Sequence, residues 1–183
     1  MYLFEIQRKC PGKPNDENSG SISNRREAIT PTPTEKSKLT EEVKKLEQAN
    51  KLVSEGNYEA ASKLFKELYE VSKETYGDEH VNTILVQHNL ACCLSDLGDD
   101  DTALKHFEPV YKFRMKTLGK EHEATLRTNN NIASIYFDQK NFEEALARYK
   151  NIYAIQRKVY GVEHKSTLET MSKMSYIMSQ MSD

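Results

Sequence analysis

The chain has little of what commits a sequence to a special environment. Its three cysteines, Cys10 and the adjacent Cys92 and Cys93, are odd in number and follow no framework spacing. That excludes a disulfide scaffold and fits a reducing compartment. No stretch approaches the ~20 consecutive apolar residues of a membrane span. The opening MYLFEIQRKC is broken by Glu5 and is too short for a signal-peptide core. Neither sign of charge dominates, with 26 Lys and Arg against 28 Asp and Glu. The basic stripe that draws a protein to nucleic acid or acidic membranes is therefore missing. A cytoplasmic protein is expected, with no nucleic-acid partner and no membrane insertion.

Helix breakers are also scarce over most of the length. From Lys36 onward the sole proline is Pro109, and glycine is confined to positions 56, 77, 98, 119 and 161. Sparse, evenly placed breakers leave long segments free to be helical. Residues 11–34, PGKPNDENSGSISNRREAITPTPT, have the opposite texture, rich in Pro, Asn, Ser and Gly. Such a segment cannot bury enough apolar surface to offset its ordering entropy. A disordered tail over residues 1–36 and a folded domain over 37–183 are expected.

What is abundant is internal repetition. Gly77, Gly119 and Gly161 are spaced by 42 residues, and each opens a Gly-x-Glu-His stretch ending at His80, His122 or His164. The same offset relates Thr83, Thr125 and Thr167, then Ala49, Ala91 and Ala133 with Ser175 in the fourth copy. It relates Ala61, Ala103 and Ala145, then Phe65, Phe107 and Tyr149, then Tyr69, Tyr111 and Tyr153. Gly56 and Gly98 correspond, whereas the third copy carries Lys140. A fixed period in this range marks a solenoid, whose units each leave an apolar face that only a neighbour covers.

Each unit holds two helical patterns. Ala103, Phe107, Val110, Tyr111 and Leu118 follow the spacing of one buried helix face. The partner helix shows Leu90, Ala91, Leu94 and Leu97, or Ile132, Ala133 and Tyr136 in the next copy. Between the two lie the polar turns GNYEAA, GDDDTA and KNFEEA, in which Asn57, Asp99 and Asn141 are suited to N-capping. The alanines at 61, 103 and 145 let two helices approach, and the aromatic four residues later fills the space beside them.

The Gly-x-Glu-His stretches fall at the other junction, between units. Glycine after an apolar helical run is a C-terminal cap in the left-handed conformation, the acid favours the start of the next helix, and the histidine is a capping or packing residue. A metal site is disfavoured by distance. Stacked helices lie ~8–10 Å apart, so equivalent imidazoles stand too far apart to share an ion whose ligands lie about 2 Å away. A His/Glu metal-dependent enzyme is the alternative from another class. It lacks a glycine-rich phosphate loop, an HExxH motif and a nucleophile elbow. Asp99, Asp100 and Asp101 have no loop of EF-hand length around them. No cofactor, metal or catalytic residue is expected.

The segment from Asn89 to Gly161, with its Asn-Leu-Ala and Asn-Ile-Ala tripeptides at 89–91 and 131–133, resembles tetratricopeptide repeats of the 42-residue kind. Kinesin light chains and nephrocystin-3-like proteins carry such repeats. The resemblance extends from residue 40 to about 181, with units near 40–77, 82–119, 124–161 and a partial one at 165–181. Val81, Glu123 and Lys165 stand where the family often has proline, and residues 1–39 show no coiled-coil heptads. The resemblance implies an all-α fold: about three helix pairs in a right-handed superhelix, closed by a C-terminal capping helix. It also implies a non-catalytic scaffold or adaptor that binds a peptide or partner helix in a concave groove lined by the first helices.

With Leu126, Ile132, Ala133 and Tyr136 on the buried side, the groove face of the third unit is Arg127, Asn130, Ser134 and Asp138, with Asn131 at its edge. The second unit offers His88, Cys92 and Ser95, with Leu85 at the start and Asn89 at the edge, and the first offers Asn50. Amides both donate to and accept from a peptide backbone, and an Arg fork suits an acidic residue. The expected peptide-binding set is Asn50, His88, Asn89, Arg127, Asn130, Asn131 and Ser134. The plainer reading is a solvated polar helix face. Cys92 and Cys93 diverge by ~100° on a helix and read as small apolar fillers rather than a redox pair. Met171, Met174, Met178 and Met181 form a stripe with Ile177. Packing explains part of it, and self-association through an uncovered remainder is the alternative structural role.

Overall fold

The computed structural model describes residues 33–182, with side chains from Thr40 onward. Seven α-helices follow in order: α1 (Pro33–Ser54), α2 (Tyr58–Tyr76), α3 (Val81–Asp96), α4 (Asp100–Thr117), α5 (Glu123–Asp138), α6 (Phe142–Tyr160) and α7 (Lys165–Gln180). The principal contacts join helices consecutive in the chain, and α3 also touches α5. An apolar face repeated once per unit finds cover only in the next unit, so this packing follows from the period. The architecture is the expected all-α solenoid of helix pairs, ended by a single helix. The tail expected over residues 1–36 lies outside the described residues, apart from 33–36, which open α1.

The turn inside each pair stops one helix and starts the next with adjacent residues. The amides of Asn57, Asp99 and Asn141 bond back to the carbonyls of Leu52, Leu94 and Tyr136 at 2.9, 2.9 and 2.8 Å. That six-to-one bond is the Schellman closure, and it requires a positive φ at the preceding residue. Gly56 and Gly98 supply it at +75° and +80°; Lys140 supplies it at +60°. The Oδ1 atoms of Asn57, Asp99 and Asn141 then accept from Ala60, Thr102 and Glu144 amides at 3.2, 3.3 and 3.3 Å. These are the N-caps read from the sequence.

Between pairs the punctuation differs in one respect from expectation. Gly77 and Gly161 cap α2 and α6 with φ of 86° and 92° but ψ of 169° in both. That is the extended positive-φ region essentially reserved for glycine, not the left-handed helical one. His80, His122 and His164 are the N-caps of α3, α5 and α7. Their Nδ1 atoms accept from the amides of Asn82, Ala124 and Ser166 at 3.2, 3.1 and 3.3 Å. An accepting Nδ1 carries a lone pair, so the ring proton sits on Nε2. The preceding acids reach across a unit: Lys116 donates to Glu79 at 3.2 Å and Lys158 to Glu121 at 2.7 Å. Both pairs are exposed, so solvent screens them and neither is a mainstay of the fold.

The core is distributed rather than central. Leu46, Phe65, Leu68 and Leu90 close one cluster over α1–α3; Ala103, Phe107, Ile132 and Ile135 form the next; Leu126, Tyr149, Ile152 and Ile177 form the last. Ala61, Ala103 and Ala145 are fully buried beside their aromatics. Truncating such an aromatic costs about 3–5 kcal/mol. Leu97 and Leu118, expected on buried faces, are exposed. Both are C-cap residues of their helices, where the chain turns away from the packed stripe.

Candidate functional site

The first helices of successive units carry the polar residues singled out above, and side-chain bonds tie those helices edge to edge. Asn131 Nδ2 of α5 donates to Cys92 Sγ of α3 at 3.5 Å. Lys173 Nζ of α7 donates to Asn130 Oδ1 of α5 at 3.4 Å and lies 5.3 Å from the centre of the Tyr149 ring. Each amide thus commits one group to a neighbouring helix and keeps the other: Asn130 its NH2, Asn131 its carbonyl. Lys173 was not among the expected residues, although it stands 42 positions after Asn131 and could have been found by that offset.

The remaining candidates are less uniform. Asn50 and Asn89 are half-buried on α1 and α3, and Asp138 is exposed at the end of α5. Ser134 is half-buried and engages the Tyr149 hydroxyl, whose pKa burial pushes up to about 12 against the lowering effect of that bond. Arg127 is half-buried, and its Nε is buried without a hydrogen-bond partner among the described residues.

His88 does not line an open face. It is 3 % exposed, with its ring 5.4 Å from that of Phe107 in an edge contact. The physical reason is the width of the buried arc on α3. The helix packs against α2, α4 and α5 at once, so Thr83, Ile84, Gln87 and His88 are covered together with Leu90 and Ala91. An apolar stripe read from leucines and alanines alone underestimates that arc.

What covers His88 is a polar junction invisible to pattern reading. Arg114 of α4 is 5 % exposed. Its Nη1 donates to Thr128 Oγ1 at 2.7 Å and to the Ala124 carbonyl at 3.1 Å, and lies 3.4 Å from His88 Nδ1. Burial, together with the Arg127 charge, lowers its pKa to about 10. The His88 pKa falls well below its ordinary value, first through burial and then through the charges of Arg114 and Arg127. In the next unit Gln156 takes the register of Arg114 and accepts from Thr170 Oγ1 at 2.7 Å. Ser72 holds that register in the first unit, its carbonyl accepting from Thr83 Oγ1 at 3.1 Å. The register stays buried in all three units, while the acceptor or donor it offers changes from a backbone carbonyl to a guanidinium to a side-chain amide. A second tie runs through Arg148, which donates to Asn129, Glu108 and Glu144 at 3.0, 3.1 and 2.9 Å.

A family profile described as tetratricopeptide repeat matches the chain three times, over residues 47–116, 97–150 and 124–183. The chain belongs to the tetratricopeptide-repeat family. Among solved structures it is similar to the nearly identical TPR-like repeats of a kinesin-light-chain-type protein from Podosopora anserina. The TM-score is 0.66 and the identity 25 %, over 73 % of this chain and 64 % of that one. A single-substitution form of the same repeats gives 0.66 and 25 %, over 73 % and 63 %. BtubC (BKLC) from P. vanneervenii shares the fold at a TM-score of 0.68 and 14 % identity, over 74 % and 54 %. The chain therefore spans less than two thirds of each. No curated protein matches the sequence. Repeats of this family on this fold make a protein-interaction scaffold in general terms. Among the described residues no helix is long and apolar enough to cross a membrane.

Proposed function

We propose that the chain is a non-catalytic adaptor that takes an extended peptide with an acidic residue along the trough lined by α1, α3, α5 and α7. The observation that carries this reading is the state of Arg127. Its Nε is buried without an acceptor among the described residues, and the neighbouring Arg114 adds a second positive charge while His88 is held neutral, so neither supplies a counter-charge. A buried donor left unmade costs about 1–3 kcal/mol, so an incoming carboxylate recovers that cost and gains a charge-assisted bond. The free groups of Asn130 and Asn131 stand next to Arg127 on α5 and suit a peptide backbone on either side of the acid. Lys173 adds a second cation across α7, 3.4 Å from Asn130.

The test is fluorescence anisotropy with short labelled peptides, acidic, neutral and basic, of otherwise matched composition. Acidic peptides are expected to bind best. Combining Arg127→Ala, Asn130→Ala and Asn131→Ala is expected to weaken that binding at least tenfold, the scale of one lost charge-assisted bond of about 1.5–3 kcal/mol, with helicity by circular dichroism unchanged. Equal binding by the triple variant, or no preference for acidic peptides, defeats the reading.

A further inference from the structure

The first helix of a unit carries a stripe that the second helix of the same unit covers. Ile84, Gln87 and Ala91 hold it in α3, and Leu126, Asn129 and Ala133 hold it in α5; all six are buried. Phe107 of α4 packs with Ala91, and Tyr149 of α6 packs with Leu126 and Ala133. The same positions in α7 are Leu168, Met171 and Ser175, with Met178 next along the helix. All four are exposed, the Leu and both Met at 44 %. The principal contact of α7 is with α6, through the opposite side that holds Met174 and Ile177. Among the described residues α7 thus has the face of a covered helix and no cover.

At the other end of the array α1 is finished differently. Where α3 and α5 meet the helix before them, through buried residues such as Leu90 and Ile132, α1 has Glu41, Lys44, Gln48 and Lys51, all exposed. A polar outer face is what ends a repeat array in water. It also excludes stacking of α7 on α1 of the next copy, since the α7 stripe would strip those charges of water without pairing them. A closed two-fold pair of α7 with α7 meets no such charges.

The stripe is complementary to itself. Leu168, Met171, Ser175 and Met178 recur at intervals of three and four, the seam spacing of paired helices. A two-fold axis level with Lys173 sets Leu168 of one copy opposite Met178 of the other, and Met171 opposite Ser175. Large meets small, and Ser175 gives the clearance that Ala91 and Ala133 give their own partners. A parallel pair would set Ser175 on Ser175 and leave a gap. Charge fits as well: Met174 to Ser182 carries none, and this half lies against Lys165 and Glu169, which already pair at 3.7 Å. Lys173 itself turns away to Asn130 and the Tyr149 ring. We propose that α7 is an interaction surface for a second copy of this chain, paired antiparallel along the seam from Leu168 to Met178. A helix of 16 residues covers less than the ~800 Å² per partner of a standard stable interface, so the pair forms reversibly. It needs no peptide in the trough and stands apart from the adaptor reading.

The experiment is analytical ultracentrifugation of the full chain under reducing conditions over a wide concentration range. A reversible monomer–dimer equilibrium is expected, with no larger species. Leu168→Glu and Met178→Lys, each checked for unchanged helicity, are each expected to weaken the dimer about tenfold or more, because a charge then faces an apolar side chain across the seam. The two variants mixed should pair with each other, since the axis brings Glu at 168 of one to Lys at 178 of the other. Native mass spectrometry is expected to show the mixed dimer in excess over both self-paired forms. A monomer at every concentration overturns the proposal, as does a dimer that both substitutions leave intact. Growth beyond the dimer, or a mixture with no excess of the mixed pair, overturns the antiparallel two-fold arrangement and the proposal with it.

Discussion

Lys140 holds a backbone conformation that its unit inherits from glycine. Its φ of +60° meets the requirement that Gly56 and Gly98 satisfy at +75° and +80°. A side chain in the left-handed region costs roughly 1–2 kcal/mol, partly offset because lysine has about 0.4–1 kcal/mol less unfolded-chain entropy to lose than glycine. Lys140→Gly is therefore expected to stabilise the chain by about 0.5–1 kcal/mol, read as a higher urea midpoint. No gain would mean that the side chain offsets its strain through contacts the turn geometry does not reveal. The capping histidines meet a comparable local demand, since each Nδ1 satisfies one of the amides that a helix start leaves open.

Between elements the decisive object is the junction where α3, α4 and α5 meet. His88 of α3 faces Arg114 of α4 and Arg127 of α5, with Cys92 one turn along its own helix. Its folded pKa lies well below the ordinary value, whereas in the unfolded chain it protonates near about 6.5. Below that pH the unfolded state binds the additional proton. The stability His88 contributes is thus complete above about 6.5 and is lost progressively as pH falls beneath it, with a limiting slope of about 1.4 kcal/mol per unit. His88→Gln keeps an acceptor for Arg114 and removes the titration. Urea unfolding of this variant is expected to show a flatter decline from about pH 7 to about pH 5 than the parent. His106 is also held low by burial, but it is present in both proteins and cancels in the difference. Identical slopes would show that the imidazole is not kept neutral by this junction.

At the scale of the whole molecule, stability is a chain of neighbour contacts with no common centre. The three core clusters follow one another along the helices, so damage at one end has a short reach. Ile177, fully buried in α7, closes the last cluster. Ile177→Ala is expected to cost about 2–5 kcal/mol and to speed amide exchange in α5–α7 while leaving α1–α3 nearly unchanged. Equal acceleration throughout would indicate one cooperative unit instead of a linear array. The methionine stripe divides along the same lines: Met174 packs on the last cluster, whereas Met171, Met178 and Met181 are exposed.

The period of 42, the turn residues, the N-caps at 57, 99 and 141, and the close approach at 61, 103 and 145 were all legible in the sequence. Each depends on local backbone geometry or on a face repeated in every unit, and a repeat writes that information several times. His88 turning inward, Arg114 crossing to Thr128 and Ala124, and two nitrogens meeting at Cys92 were not legible. The long-range contacts among them join residues 26, 14, 10 and 39 positions apart, and the register of Arg114 holds serine in one unit and glutamine in another. By itself the sequence determined how each unit is built and where it stops. Only the packing of one unit against the next decided which polar side chains were sealed inside and which were left at the surface.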